Sequence, residues 1–265
     1  MKQFYELVPL DQIAVSSDEL LSIKRNDLVP LLDDQVRLNH YADHLIQSQA
    51  VLLNGVDPQL TQQLSHVIAE IIQQLNQSKK SLKVKKFNAL QRWLGLDLEF
   101  NAGKIKYLKD LDHNIHQANQ LSQKLQLEIQ KSQSRFQQAN GLREQMAKYI
   151  RAAQEFLVEY PNFVKNLHPL NNFEDRLSKK INTLHTLQVS NDIAITQMRL
   201  SQQLSFGLLD RFKEAQQVLI PAWQYHVKQS QAQKNSSQNT QTSLDELDKS
   251  REKLIQSLQK SLDKK

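Results

Sequence analysis

What most limits the folds open to this chain is an apolar repeat every three and a half residues, carried through two separate stretches. With Leu108 as the first core position, the a positions are Leu108, Ile115, Ser122, Ile129, Phe136, Arg143 and Ile150, and the d positions are Leu111, Ala118, Leu125, Ser132, Ala139, Met146 and Ala153. Eleven of these fourteen are apolar. A second frame starts at Leu177, with Leu184, Asn191, Met198, Ser205, Phe212 and Leu219 at a and Lys180, Leu187, Ala194, Ser201, Leu208, Ala215 and Ala222 at d, ten of fourteen apolar. A 3.5-residue period held over several heptads is the pattern that makes helices supercoil around one another.

The connector sets their direction. No proline interrupts Gln59 to Tyr160, and Pro161 to Asn172 separates the two frames. A helix from Leu98 to Tyr160 would span about 95 Å at 1.5 Å per residue, whereas twelve extended residues reach only about 40 Å. The two helices must therefore run antiparallel. Asn191 at a core position is expected to fix register through a buried polar contact. Asn140-Gly141 marks a weak point of the first helix, and Pro221 predicts a kink or a stop in the second.

Composition agrees with long helices. Of 265 residues only 5 are Gly and 6 Pro, while 36 are Gln, a residue that gives up little side-chain freedom in a helix. The fold class read from the sequence is all-α: a long antiparallel coiled-coil hairpin with additional N-terminal helices and a short C-terminal helix. The organisation expected is an N-terminal arm over 1–30, N-terminal helices and a basic connector over 31–86, the hairpin over 87–228, a polar linker over 229–242 and a C-terminal helix over 243–265.

Local signals support that division. Asp57-Pro58 reads as an N-cap followed by proline at the first helical position, and Leu60, Leu64, Val67, Ile68, Ile71 and Leu75 follow as one amphipathic stripe. Asn171 with Glu174, and Ser243 with Glu246, have capping-box spacing. Gln229 to Thr242 holds one apolar residue, Ala232, as a solvated linker would. The opening segment to Asn26 lacks sustained periodicity and reads as a loose arm with one short helix.

Little in the chain points to catalysis. There is no cysteine, which removes thiol chemistry and disulfides. The few scattered glycines form no phosphate loop, and no Gly-x-Ser-x-Gly elbow is present. No catalytic residue and no cofactor is therefore expected. His40 with His44 and His113 with His116 place two imidazoles on one helix face, the start of a metal site, but no third and fourth ligand follows at readable spacing. These four are weak metal candidates only.

Charge suggests partners. The net charge of +6 comes from 34 basic and 28 acidic residues, mostly interleaved as on a solvated helix surface. Lys79, Lys80, Lys83, Lys85 and Lys86 are the exception, a cluster suited to an anionic membrane surface. No nucleic-acid-binding module accompanies it, and no nucleic acid is expected as a partner. The N-terminus lacks a signal-peptide apolar run and no stretch of about 18 apolar residues occurs, so a cytoplasmic location is expected, with the inner-membrane periphery as an alternative.

The order Phe173-Glu-Asp-Arg176, then Leu187, Ser190, Ile193 and Ala194, then Gln197-Met198-Arg199-Leu200, then Ile220-Pro221-Ala222-Trp223 resembles the toxic anion resistance family, the TelA-type tellurite-resistance proteins. The chain looks like a divergent, shortened member, with Thr196 where the family has proline and Ser201-Gln202-Gln203 where it has asparagines. The family-matching residues are Phe173, Arg176, Leu187, Ser190, Gln197, Arg199, Pro221 and Trp223. The resemblance implies a cytoplasmic protein of stress tolerance without established catalysis. The function expected is a non-enzymatic coiled-coil adaptor that meets a protein partner, or a second copy of itself, through its helix faces. The alternatives are a protein that binds a metal or oxyanion directly, and a peripheral membrane protein.

Overall fold

The computed structural model describes residues 7–81, 96–162, 172–232 and 240–263. Among them every regular element is helical. The α-helices are α1 Ser17–Ile23, α2 Gln35–Leu38, α3 Asp43–Leu52, α4 Pro58–Ser81, α5 Leu96–Glu159, α6 Phe173–Glu214, α7 Ile220–Ala232 and α8 Thr240–Leu262. The chain divides into two compact units, Met1–Gly55 with Lys131–Ser201 and Val56–Gln130 with Gln202–Lys265.

In the first unit α5 and α6 run antiparallel, as the ladder of contacts from Arg143 with Asp192 to Gln154 with His185 to Phe156 with Phe173 shows. The N-terminal segment is packed on them rather than loose. Ser16 opens α1 with a full capping box: its hydroxyl accepts from the Glu19 amide and the Glu19 carboxylate accepts from the Ser16 amide. Leu20, Ile23, Leu28, Leu31, Leu38, Tyr41 and Leu45 are then buried against Met146, Ile150, Phe156, Phe173, Leu177 and Leu184. The helices just ahead of Asp57 are the short α2 and α3, and Ala42 between them takes the left-handed φ of 61°. That conformation is costly for a residue with a Cβ, and here buried Ala42 is held by its place in this core.

The second unit gathers α4, the first part of α5, the end of α6 with α7, and α8 around one core. Asp57 caps α4, its carboxylate accepting from the Gln59 amide at 2.9 Å. Leu64, Val67, Ile68, Ile71 and Leu75 are all buried there, with Leu60 packed against the edge. The helices are antiparallel here too, Gln126 meeting Lys213 and Asp112 meeting Gln224. α8 begins at Thr240, three residues before the expected cap at Ser243, and docks Leu247, Leu254, Ile255 and Leu258 into the core.

The heptad reading fares differently on the two long helices. Every d position of the first frame is buried, from Leu111 to Ala153. On α6 the a positions are in the core or half-buried, but in the first unit the second stripe falls one residue later than read: Ile181, Gln188 and Ile195 are buried, whereas Leu187 is 37 % exposed. In the second unit the d positions Leu208 and Ala215 are buried as read, and Ala222 is exposed. Counting apolar residues selects Leu187 over Gln188; the buried glutamine donates its amide N–H to Asp192, while its Oε1 is buried without a partner. α5 passes Asn140-Gly141 unbroken. Nor does Pro221 stop the second helix: a π turn over Ala215–Leu219 precedes it and α7 continues through it. A π turn widens the backbone hydrogen-bond spacing, which eases the carbonyl clash that a proline ring otherwise meets one turn back.

Candidate interaction face on the second long helix

Two kinds of surface on α6 decide what the chain can do: a polar layer turned inward and an apolar strip turned outward. The inward layer lies in the first unit. Arg143, nearly buried, holds Asp192 in a two-pronged ion pair, Nε to Oδ1 at 2.8 Å and Nη2 to Oδ2 at 2.9 Å. Its Nη2 also donates to the Val8 carbonyl at 2.7 Å. Fully buried Gln188 donates to the same carboxylate at 2.7 Å. Beside them Asn191 donates to Gln49 Oε1 at 2.7 Å, and Gln49 donates on to the Ala139 carbonyl. The sequence places Arg143 and Asn191 at core positions, and this network is why they fit: a buried polar group is tolerated only when paired.

Arg143 and Arg199 also line an open cleft of about 660 Å³ whose other walls include Val8, Phe136, Asn140 and Glu144. Asp192 neutralises the first arginine, and Glu144 sets a further carboxylate at the rim.

The family-matching residues separate by role. Phe173 is buried at the start of α6, stacked on Tyr160 with centroids 5.0 Å apart and edge-on to Phe156. Trp223 is buried in the second unit with no partner for its indole N–H. Pro221, Arg176, Ser190 and Gln197 are exposed, Leu187 is at the margin and Arg199 is half-buried. The motif therefore mixes packing anchors with surface residues.

The outward strip is apolar. In the first unit Val189, Ile193 and Leu200 are 59, 58 and 52 % exposed, at spacings that keep them on one side of the helix. The surroundings carry little charge: between Lys180 and Asp210 only Asp192 and Arg199 are ionic, and Asp192 turns inward to Arg143. An apolar strip in such a setting is a candidate docking surface. The heptad frame leaves these residues outside its a and d columns, but a count of core positions does not register that the outward side is apolar.

The histidine candidates lie apart from any ligand set. His40 Nδ1 meets Asp43 Oδ2 at 3.0 Å, His44 packs edge-on against Tyr149, and His116 pairs with Gln120. Among the described residues no group of three or more His, Cys, Asp or Glu could hold a metal ion. Lys83, Lys85 and Lys86 fall outside the described residues, as do the side chains of Lys79 and Lys80, which close α4. Among the described residues no helix is long and apolar enough to cross a membrane.

The displaced titrations belong to bracing contacts. Burial pushes the Tyr41 phenol far up and that of Tyr107 up to about 12; each donates to a backbone carbonyl, Tyr149 and Gln74 respectively. A hydrogen bond from Lys24 lowers the Glu155 carboxyl against the opposing effect of burial.

No family model matches the chain, and no solved structure matches it. Among curated proteins it is similar to Protein KlaA of Escherichia coli, 24 % identical over 225 residues that cover 84 % of this chain and 85 % of that protein.

Proposed function

We propose that this chain is a non-enzymatic helical adaptor of the toxic anion resistance type, acting in the cytoplasm in tolerance to tellurite and related stress. The observation that carries the reading is the outward, charge-poor strip of Ile193 and Leu200 within the family-matching segment. Core packing accounts for Phe173 and Trp223, but leaves these two apolar side chains in water. The resemblance to the TelA-type proteins supplies the biological setting, and the similarity to Protein KlaA over most of both chains is compatible with it. The polar groups of the first unit are engaged in holding helices together, which favours a scaffold over a catalyst.

Deletion of the gene, with growth measured across tellurite and other toxic anions, tests the proposal. Tolerance should fall on deletion and return with the wild-type gene, but not with a folded Ile193→Asp variant. Unchanged tolerance in the deletion strain refutes the resistance role.

The second reading is direct oxyanion binding, favoured by Arg143 and Arg199 on one cleft. Asp192 and Glu144 work against it, because Asp192 already pairs with Arg143 and Glu144 lines the same cleft. Calorimetric titration with tellurite separates the readings, and a flat trace at millimolar ligand removes this one.

A further inference from the structure

We propose that Asn54 is a site of spontaneous covalent modification, converting through a cyclic imide to aspartate and isoaspartate, while Asn140 of the chain's other Asn-Gly pair is protected by its helix. Both pairs, Asn54-Gly55 and Asn140-Gly141, lie in the first unit, so one fold supplies the reactive case and its control. In the reaction the Gly55 amide nitrogen gives its proton to hydroxide and attacks the side-chain carbonyl carbon of Asn54. The new N–C bond closes a five-membered imide, and the side-chain nitrogen leaves as ammonia. Water then adds to one of the two imide carbonyls and breaks the bond from that carbon to nitrogen. Opening at one carbonyl leaves aspartate. Opening at the other leaves isoaspartate, whose main chain runs through the former side chain and is one carbon longer.

The surroundings of the two pairs separate them. Asn54 follows the end of α3, is exposed, and belongs with Gly55 to no helix. Its side-chain amide reaches the Val51 carbonyl at 3.4 Å, a long contact that gives way readily. Among the described residues no hydrogen bond engages the Gly55 N–H, and a glycine nitrogen, with no Cβ beside it, is open to close approach. Gly141 lies inside α5, where its N–H bonds the carbonyl four residues back. An imide nitrogen carries no hydrogen, so ring closure there would break the ladder and orphan that carbonyl. The Asn140 side-chain oxygen is also buried, away from the hydroxide and water that the reaction consumes.

Arg135 adds to the contrast. Its Nη2 donates to the Gly55 carbonyl at 3.2 Å, and a positive charge so close to Gly55 favours loss of the amide proton. The product places a new carboxylate one residue from this contact. Isoaspartate also lengthens the main chain directly ahead of it, so the end of α3 and the Arg135 bond no longer fit together unchanged.

The proposal stands apart from the adaptor reading and is tested on the full chain. Samples are held in mildly alkaline buffer, folded or in urea, and the peptides carrying residues 54 and 140 are followed by mass spectrometry, with fragmentation that tells isoaspartate from aspartate. In the folded chain residue 54 should convert at least about tenfold faster than residue 140, with isoaspartate among the products, and in urea the two should convert at similar rates. Gly55→Ala, whose Cβ would sit 3.4 Å from Ser201, should slow conversion at residue 54 about tenfold. Equal rates at the two positions in the folded chain overturn the inference, as does an Asn54 that converts only in urea. Aspartate formed without isoaspartate overturns it too, since direct hydrolysis would then replace the imide.

Discussion

Removing the guanidinium of Arg143 is the sharpest test of how the first unit is held. Arg143→Met keeps much of the aliphatic stem but strips three donated hydrogen bonds, two on Asp192 and one on the Val8 carbonyl. The Arg143 side chain is only 6 % exposed and Asp192 23 %, so the orphaned carboxylate keeps the Gln188 amide and partial access to water. Loss of one partner of a buried ion pair costs about 3–5 kcal/mol, and the residual solvation of Asp192 places this variant near the lower end, at about 3 kcal/mol. For a chain of this size that corresponds to a fall in Tm of roughly 6–12 °C. Urea and thermal unfolding followed by circular dichroism measure it. Arg143→Met with Asp192→Leu and Gln188→Leu, which also removes the buried amide that donates to Asp192, should recover to within about 1 kcal/mol of the wild type, because a buried polar cluster replaced whole by apolar groups is often neutral. A single substitution costing less than about 1 kcal/mol, in the range of exposed ion pairs, would refute the buried layer, and so would a triple variant whose losses simply add.

Three further outcomes follow from particular contacts. Trp223→Phe should change stability by no more than about 1 kcal/mol, since the lost volume is offset by removal of a buried N–H without a partner, whereas Trp223→Ala should cost about 3–5 kcal/mol in the same unfolding assay. Gly141→Ala should stabilise by about 0.5–1 kcal/mol, because an added Cβ meets no atom within 4 Å in the middle of α5; a lower Tm would show that the glycine is needed for bending. The Glu155 carboxyl is lowered by its hydrogen bond from Lys24, while for Asp43 burial acts upward and is outweighed by hydrogen bonds from Lys180 and His40. Carboxyls whose folded values are depressed contribute stability above the unfolded value of about 4 and lose it as pH falls through the folded value, so an unfolding-free-energy profile should drop below that point and Lys24→Met should flatten the drop.

The fold was largely readable because its strongest signals are local and periodic. The α4 stripe, the Asp57-Pro58 start and the d column of α5 each follow from spacing alone, and the short connector dictates antiparallel packing. The readings that differ come from long-range partners that periodicity does not register. Ala42 adopts a left-handed turn because the segments on either side are pinned to the core, and Pro221 sits within a continuing helix because a π turn precedes it.

The same cause explains why the candidate site was only partly legible. On α6 a count of apolar residues assigns Leu187 to the core and Gln188 to water, yet the glutamine is buried because Asp192, itself held by Arg143, accepts its amide. That polar pair brings Gln188 into the core while the a positions stay there, and Val189, Ile193 and Leu200, which lie outside the a and d columns of the frame, remain on the solvent side. An Asp192→Leu substitution made alone, with Arg143 left in place, strands the guanidinium and should lower the urea midpoint by an amount comparable to Arg143→Met; an unchanged midpoint would show that the pair does not hold the unit.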